Sequence, residues 1–316
     1  MNAFNNITKL FSSGNLPVVI SDSNYVMNSF AKEGFEVCSV SEAYKELKAP
    51  AEVILAIVDP SSSPSHEVFD KTFKNSAVLV CPLMSFASDS ESVDYFISTL
   101  KKIDFESACI NGKKRLEQLE GLNAPLTVKS GDKFLEIRLG DNIEVFAPKI
   151  NPIIKLGEWI SVSQFLEIAL IPNADYSCFN VNGEFTCEGI SIAFHRNNYE
   201  ISGPLAKEAW NIFTEIRKSG GFPLKLILVD SEVKSIETTF GEQILDKIKP
   251  LTDETFHGKL IEVAFASLEA SKDTNWLINS QLNEAAGGVH LALGTGVKAA
   301  HIDFICPRAT VLETAT

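Results

Sequence analysis

The chain has 316 residues, 45% of them hydrophobic, and sets 41 acidic residues against 28 basic ones for a net charge of −13 and a pI near 4.9. That length has room for two domains with real cores. So acidic a balance argues against nucleic-acid binding, which needs clustered Lys and Arg to neutralise phosphates.

The one dense basic run, Lys113-Lys114-Arg115, reads as a solvated helix turn. The six cysteines (Cys38, Cys81, Cys109, Cys178, Cys187 and Cys306) are scattered without a C-x-x-C pair. That pattern excludes a disulfide framework and a zinc ribbon, and it fits free buried thiols in a reducing compartment. The N-terminus lacks a basic region followed by an apolar one, and no apolar run reaches the length of a membrane span. The expectation is a cytoplasmic protein with no membrane or nucleic-acid partner.

Along the chain, strands and helices alternate first. Leu16–Ile20 reads as a short buried strand, Tyr25–Lys32 as helix, Phe35–Cys38 as strand and Glu42–Leu47 as helix. Glu52–Asp59 and Ala77–Cys81 are continuous apolar runs, the mark of central parallel strands, and Glu91–Lys102 is an amphipathic helix. No G-x-G-x-x-G follows the first strand, so this Rossmann-like region lacks the glycines that let backbone approach a pyrophosphate.

From Leu126 the pattern changes to short alternating strands with Gly/Asp turns, at Leu126–Val128, Phe134–Leu139 and Ile143–Phe146, and a loop over Pro148–Gly157 leads to Glu158–Ser161. Further strands are expected at Ala174–Asn180, Phe185–Phe194 and Leu224–Asp230, with helices at Pro204–Lys218 and Gln243–Ile248. The fold class is α/β: an N-terminal parallel α/β domain over 1–118, then a β-rich mixed domain over 119–316.

The chemistry gathers near the C-terminus. Gly287-Gly288-Val289-His290-Leu291-Ala292-Leu293-Gly294 and Ala300-His301-Ile302-Asp303-Phe304 both read as strands, and residues two apart in a strand share a face. His301 and Asp303 therefore point the same way, and a hairpin around Gly294-Thr295-Gly296 brings His290 beside them. Two imidazoles and a carboxylate form a metal-ligand set. The alternative for each histidine is a satisfied core residue, and for the pair a structural His–Asp hydrogen bond.

Glu262 sits within Lys259–Phe265, an otherwise apolar strand, and Glu284 precedes His290 by six residues. Glu184 follows a Gly turn; an ordinary hairpin acid is the plainer reading. His66, His195 and His257 sit in polar, loop-like contexts and read as solvated. No G-x-S-x-G, H-E-x-x-H or P-loop occurs.

In this order of motifs, residues 259–308 resemble the aminopeptidase T (leucyl aminopeptidase) metallopeptidases, and the same scaffold resembles that of the dihydroxypyridine ring-cleaving dioxygenases. The resemblance implies a metal site facing an interdomain cleft, with His290, His301 and Asp303 as ligands in either branch. In the peptidase branch it implies Glu262 or Glu284 as further ligands or general base. Gly183-Glu184-Phe185-Thr186 is similar to the peptidases' Gly-Glu-Val-Phe-Thr turn, which implies a metal-ligating carboxylate at Glu184. The resemblance further implies a divalent ion (Zn, Co or Mn, or Fe(II) in the dioxygenase branch), a peptide or amide-containing small substrate, and a homodimer.

One departure stands out. Ten residues separate His290 from His301, with no tyrosine among them, where the peptidases carry a longer, tyrosine-bearing loop. His290, His301 and Asp303 suffice for one metal. Three readings follow: an aminopeptidase-type hydrolase, which leads; a mononuclear iron dioxygenase; and a catalytically degenerate binding or scaffold protein.

Overall fold

In the computed structural model, which describes residues 4–120, 124–140, 143–146, 148–253, 256, 258–271 and 273–312, a parallel sheet comes first and two antiparallel sheets follow. The first segment runs α1 (Asn5–Thr8), β1 (Val18–Ser21), α2 (Asn24–Lys32), β2 (Val37–Ser39), α3 (Val40–Glu46), β3 (Glu52–Ala56), α4 (His66–Phe73), β4 (Ala77–Cys81), α5 (Ser90–Leu100) and α6 (Phe105–Glu120). Ser23, Ser39, Ser65 and Asp89 cap α2 to α5 by accepting a backbone N–H of the first turn, which is why each helix begins there. The apolar runs of β3 and β4 lie between two layers of helices, so both of their faces are buried.

The second segment continues with β5 (Leu126–Ser130), β6 (Lys133–Leu139), β7 (Glu144–Phe146), β8 (Trp159–Ser161), β9 (Glu167–Ile171), β10 (Phe179–Cys187), β11 (Gly189–Ala193) and α7 (Tyr199–Lys218). It ends with β12 (Leu224–Val229), β13 (Glu232–Glu237), α8 (Leu245–Ile248), β14 (Glu262–Ala266), β15 (Val289–Leu293), β16 (His301–Cys306) and β17 (Thr310–Leu312). The strand β8 returns to the first sheet and extends it to the order β2-β1-β3-β4-β8. The other two sheets have the orders β13-β12-β10-β6-β5-β17 and β11-β16-β15-β14-β9-β7.

The single strand expected over Phe185–Phe194 is two. The chain leaves β10 at Cys187, passes Glu188, and enters β11 in the other antiparallel sheet. That switch places the two sheets face to face, and Val181, Phe185, Leu226, Val263, Leu291, Ile302 and Phe304 fill the space between them, with Phe213 of α7 beside them. The strand expected from Ala174 begins only at Phe179. All six cysteines are free, and no described helix is long and apolar enough to cross a membrane.

Candidate metal centre

Four neighbouring strands, β9, β14, β15 and β16, build the floor of the site. Antiparallel register pairs Ala266 with Glu167, Ala264 with both Ala169 and His290, and Ala292 with both Glu262 and Asp303. Directly opposed residues share a face. Glu167, Glu262, His290, His301 and Asp303 therefore all stand on one side, separated by Ala169, Ala264 and Ala292. The other side carries Val263, Leu291, Ile302 and Phe304 into the core. The alternation of acid or imidazole with alanine is what makes a polar recess: each alanine leaves open the volume that a larger side chain would fill.

The recess lies at the bottom of a cleft of about 550 Å³, whose opposite wall includes Val80, Pro82 and Met84 from the carboxyl end of the parallel sheet. A larger hollow of about 670 Å³ lies beside α6, but its titratable lining is Lys114, Arg115 and Glu269, not a donor set for a cation.

Within the recess, His290 Nε2 lies 3.2 Å from Glu262 Oε1, 3.4 Å from Glu167 Oε2 and 3.8 Å from Asp303 Oδ1. His301 Nε2 lies 3.1 Å from Asp303 Oδ1. Its Nδ1 lies 2.8 Å from the Gly294 carbonyl, which only accepts, so Nδ1 carries the proton and Nε2 faces the acids. Gly294 has φ +77°, and a Cβ there would run into the Ala300 carbonyl, so the hairpin that presents this oxygen needs glycine. Glu284 comes from the 3-10 turn Gln281–Ala286 and accepts a hydrogen bond from Ser191 Oγ at 2.9 Å.

The electrostatics are those of crowded buried acids. Burial and the charges of Glu284, Glu262 and Asp303 hold Glu167 well above the usual carboxylate range, against the pull of His290. Burial, with Asp303 next, does the same to Glu284. Burial works against the charged form of His290, but Glu262, Glu167 and Asp303 outweigh it and raise the imidazole to about 9. His301 is raised well above its ordinary value, Asp303 overcoming the effect of burial, and Asp303 is lowered by His301 in spite of its own burial.

Glu167 Oε2 and both oxygens of Asp303 are buried yet accept no hydrogen bond of good geometry. A buried carboxylate oxygen without a donor is costly. A cation would satisfy them, and Glu167, Glu262 and His290 offer ligand atoms all within 4.8 Å of one another. The donor set, carboxylate-rich with imidazole, fits a divalent ion.

A family model described as crocagin biosynthetic protein CgnE/B matches residues 14–313. The chain belongs to that family. No curated protein matches it. Among solved structures, this CgnE/B-family chain is similar to 2,5-dihydroxypyridine dioxygenase from Pseudomonas putida KT2440, with a TM-score of 0.51, 11% identity, and coverage of 98% of this chain and 91% of that one. AmpT from Thermus thermophilus aligns with a TM-score of 0.45, 11% identity, and coverage of 94% and 90%. The first likeness shows a shared fold.

Of the residues singled out in the sequence, His290, His301, Asp303, Glu262 and Glu284 line one cleft in this CgnE/B-family fold. Glu184 is not brought to them. Gly183–Thr186 is no turn but the middle of β10, in the other antiparallel sheet, where Glu184 is 42% exposed and pairs with Lys133 at 3.3 Å. The alternation of buried Phe179, Val181, Phe185 and Cys187 keeps that strand running.

The residue sequence reading missed is Glu167. The signal was present: Glu167 opens the apolar run Ile168-Ala169-Leu170-Ile171 as Glu262 opens its own. His66 and His195 are exposed, and His257 lies outside the described residues.

Proposed function

We propose that this protein is a metal-dependent hydrolase acting on a peptide or other amide-containing small substrate. The observation that carries this reading is the surplus of acids. A single-ion site of two histidines and one carboxylate uses His290, His301 and Asp303, and leaves Glu167, Glu262 and Glu284 in the same cleft. Glu167, Glu262 and His290 would hold an ion, with His301 and Asp303 beside them. A divalent ion supplies a Lewis acid for the amide carbonyl and lowers the pKa of its water to about 7.

Glu284 is the acid–base group of this scheme. Burial, with Asp303 next, raises its pKa, and a carboxyl in that setting is the group in the cleft suited to take and return a proton. It takes a proton from the attacking water and returns it to the departing nitrogen. The Ser191 hydroxyl, donating to Oε1, fixes the orientation of the carboxyl. The Gly294 carbonyl fixes the tautomer of His301 and keeps its Nε2 lone pair toward the acids when the imidazole is neutral.

A second reading, a ring-cleaving dioxygenase with one Fe(II), draws on the grouping of His290 and His301 around Asp303 Oδ1 at 3.8 and 3.1 Å. The two separate in one experiment. Metal is quantified in the purified protein and in His290→Ala, and the wild type is then assayed with short peptides plus Zn, Co or Mn. It is also assayed, after anaerobic iron loading, for oxygen uptake with 2,5-dihydroxypyridine. The hydrolase reading expects metal that His290→Ala loses, and amino-acid release. Oxygen uptake without peptide cleavage selects the second reading. Failure to take up any metal rejects both.

A further inference from the structure

The cleft that holds the metal recess is also lined by a cation with no hydrogen bond or ion pair among the described residues. Of the five arginines, Arg138 pairs with Glu136 and Arg308 with Glu188, Arg217 donates to the Glu188 carbonyl, and Arg115 lies over the Phe265 ring. Arg196 has no hydrogen bond or ion pair among the described residues, although it is half-buried and lines the same cleft as four carboxylates. Within its electrostatic reach is the Tyr44 hydroxyl, itself buried without a hydrogen-bond partner. A guanidinium is a rigid fork suited to a carboxylate or phosphate. In a chain of net charge −13, a guanidinium without an ion pair among the described residues is open to an anion from outside the chain.

Beneath Arg196 is an apolar recess of about 50 Å³ lined by Leu55, Ile57, Phe69, Val80, Met84 and Trp159. It lies at the carboxyl ends of β3 and β4, where open α/β sheets bind ligands. It opens into the metal cleft, with which it shares Val80, Pro82, Met84 and Arg196. About one water needs ~10–15 Å³ on this measure, so the recess holds roughly three to five such groups. That suits a branched aliphatic side chain and is too small for an indole.

We propose that Arg196 and this recess form a carboxylate-and-side-chain subsite, taking an N-acyl amino acid or short peptide whose C-terminal residue is branched and aliphatic. The proposal rests on the hydrolase reading in placing the substrate's amide toward the acids, while Arg196 grips the terminal carboxylate and the recess takes the adjoining side chain.

Binding, not turnover, tests it. The probe is N-acetyl-leucine, titrated calorimetrically into the full chain with and without Mn, beside N-acetyl-leucinamide, N-acetylglycine and N-acetyltryptophan. N-acetyl-leucine is expected to bind tightest, and its amide at least about tenfold weaker, because the amide removes a charge-assisted pair. Arg196→Gln is expected to abolish the difference between acid and amide while leaving the melting temperature unchanged, since Arg196 makes no hydrogen bond or ion pair among the described residues. Equal binding of acid and amide, equal binding of glycine and leucine derivatives, or no binding of N-acetyl-leucine overturns the subsite.

If Arg196→Gln fails to fold, the acid–amide comparison on wild type and Arg196→Lys decides. The lysine variant should retain part of the difference. Failure of the hydrolase reading is distinguishable: it appears as absent metal or absent cleavage while N-acetyl-leucine still binds the metal-free protein through Arg196. Cleavage that is indifferent to Arg196→Gln sinks the subsite alone.

Discussion

Glu167 and His290 come within 3.4 Å of each other although their strands, β9 and β15, do not pair; they reach across β14. What lies between them is Ala264, fully buried and in register with both His290 and Ala169. Only a methyl group separates the two strands at this level, so the carboxylate and the imidazole close over it. Ala264→Leu should wedge them apart and cost about 1–3 kcal/mol of stability by overpacking. Metal affinity should fall by at least about tenfold, as when ligand geometry is disturbed. Calorimetric metal titration together with thermal melts checks this, and a variant that is destabilised yet binds metal normally would contradict the assignment.

The protonation states predict how stability follows pH when no metal is bound. His290 is raised in the folded protein to about 9, above its unfolded value. A raised histidine contributes stability that is complete below about 6.5 and disappears as pH climbs through about 9. The raised carboxyls of Glu167 and Glu284 act with the same sign, because they too bind a proton more tightly when folded. Asp303 is lowered, so its contribution is lost only as pH falls below the ordinary carboxylate range. Metal-free protein should therefore weaken between pH 6.5 and 9, by about 3 kcal/mol from His290 alone. Added metal displaces protons and should stabilise more as pH rises. Denaturant titrations across that window, with and without Mn, give both slopes.

The parts of the fold that rest on local pattern were legible. Ala77–Cys81 is a strand over the residues its apolar run marks, and the hairpin joining His290 to His301 follows from the period of two and the glycines between them. Those signals sit within ten or so residues. Glu167 was not legible as a partner of His290, because 122 positions of chain fold between them, and which strand lies beside which is a tertiary matter. The sheet switch at Glu188 was hidden for a similar reason: both flanking segments are apolar and alternating, and nothing local says that they belong to different sheets.

Glu184 shows the opposite error, a local match without the geometry. Its Gly-Glu-Phe-Thr setting imitates a ligand-bearing turn, yet the side chain lies on another sheet and pairs with Lys133. Glu184→Gln should leave metal stoichiometry and affinity unchanged and alter stability by less than about 1 kcal/mol, the scale of an exposed ion pair. Metal content lost in this variant would return Glu184 to the site.

Glu284 depends on a latch behind it. Asn283, fully buried, accepts a hydrogen bond from the Tyr95 hydroxyl at 2.7 Å and donates to the Ile278 carbonyl at 2.8 Å. The same hydroxyl accepts the Asn275 backbone N–H at 3.1 Å, so one phenol ties α5 to the segment that leads into the Glu284 turn. Tyr95→Phe strips both partners at once, leaving the Asn283 amide oxygen and the Asn275 N–H unsatisfied. It should cost about 1–3 kcal/mol, the range for orphaned buried groups. Metal binding should persist, because Glu167, Glu262 and His290 stand on strands the latch does not touch, whereas turnover should fall as Glu284 loses its fixed position. Melting curves, metal content and kcat measured on the one variant separate these effects, and a matched loss of metal would mean that the turn supports the ligands as well as the acid–base group.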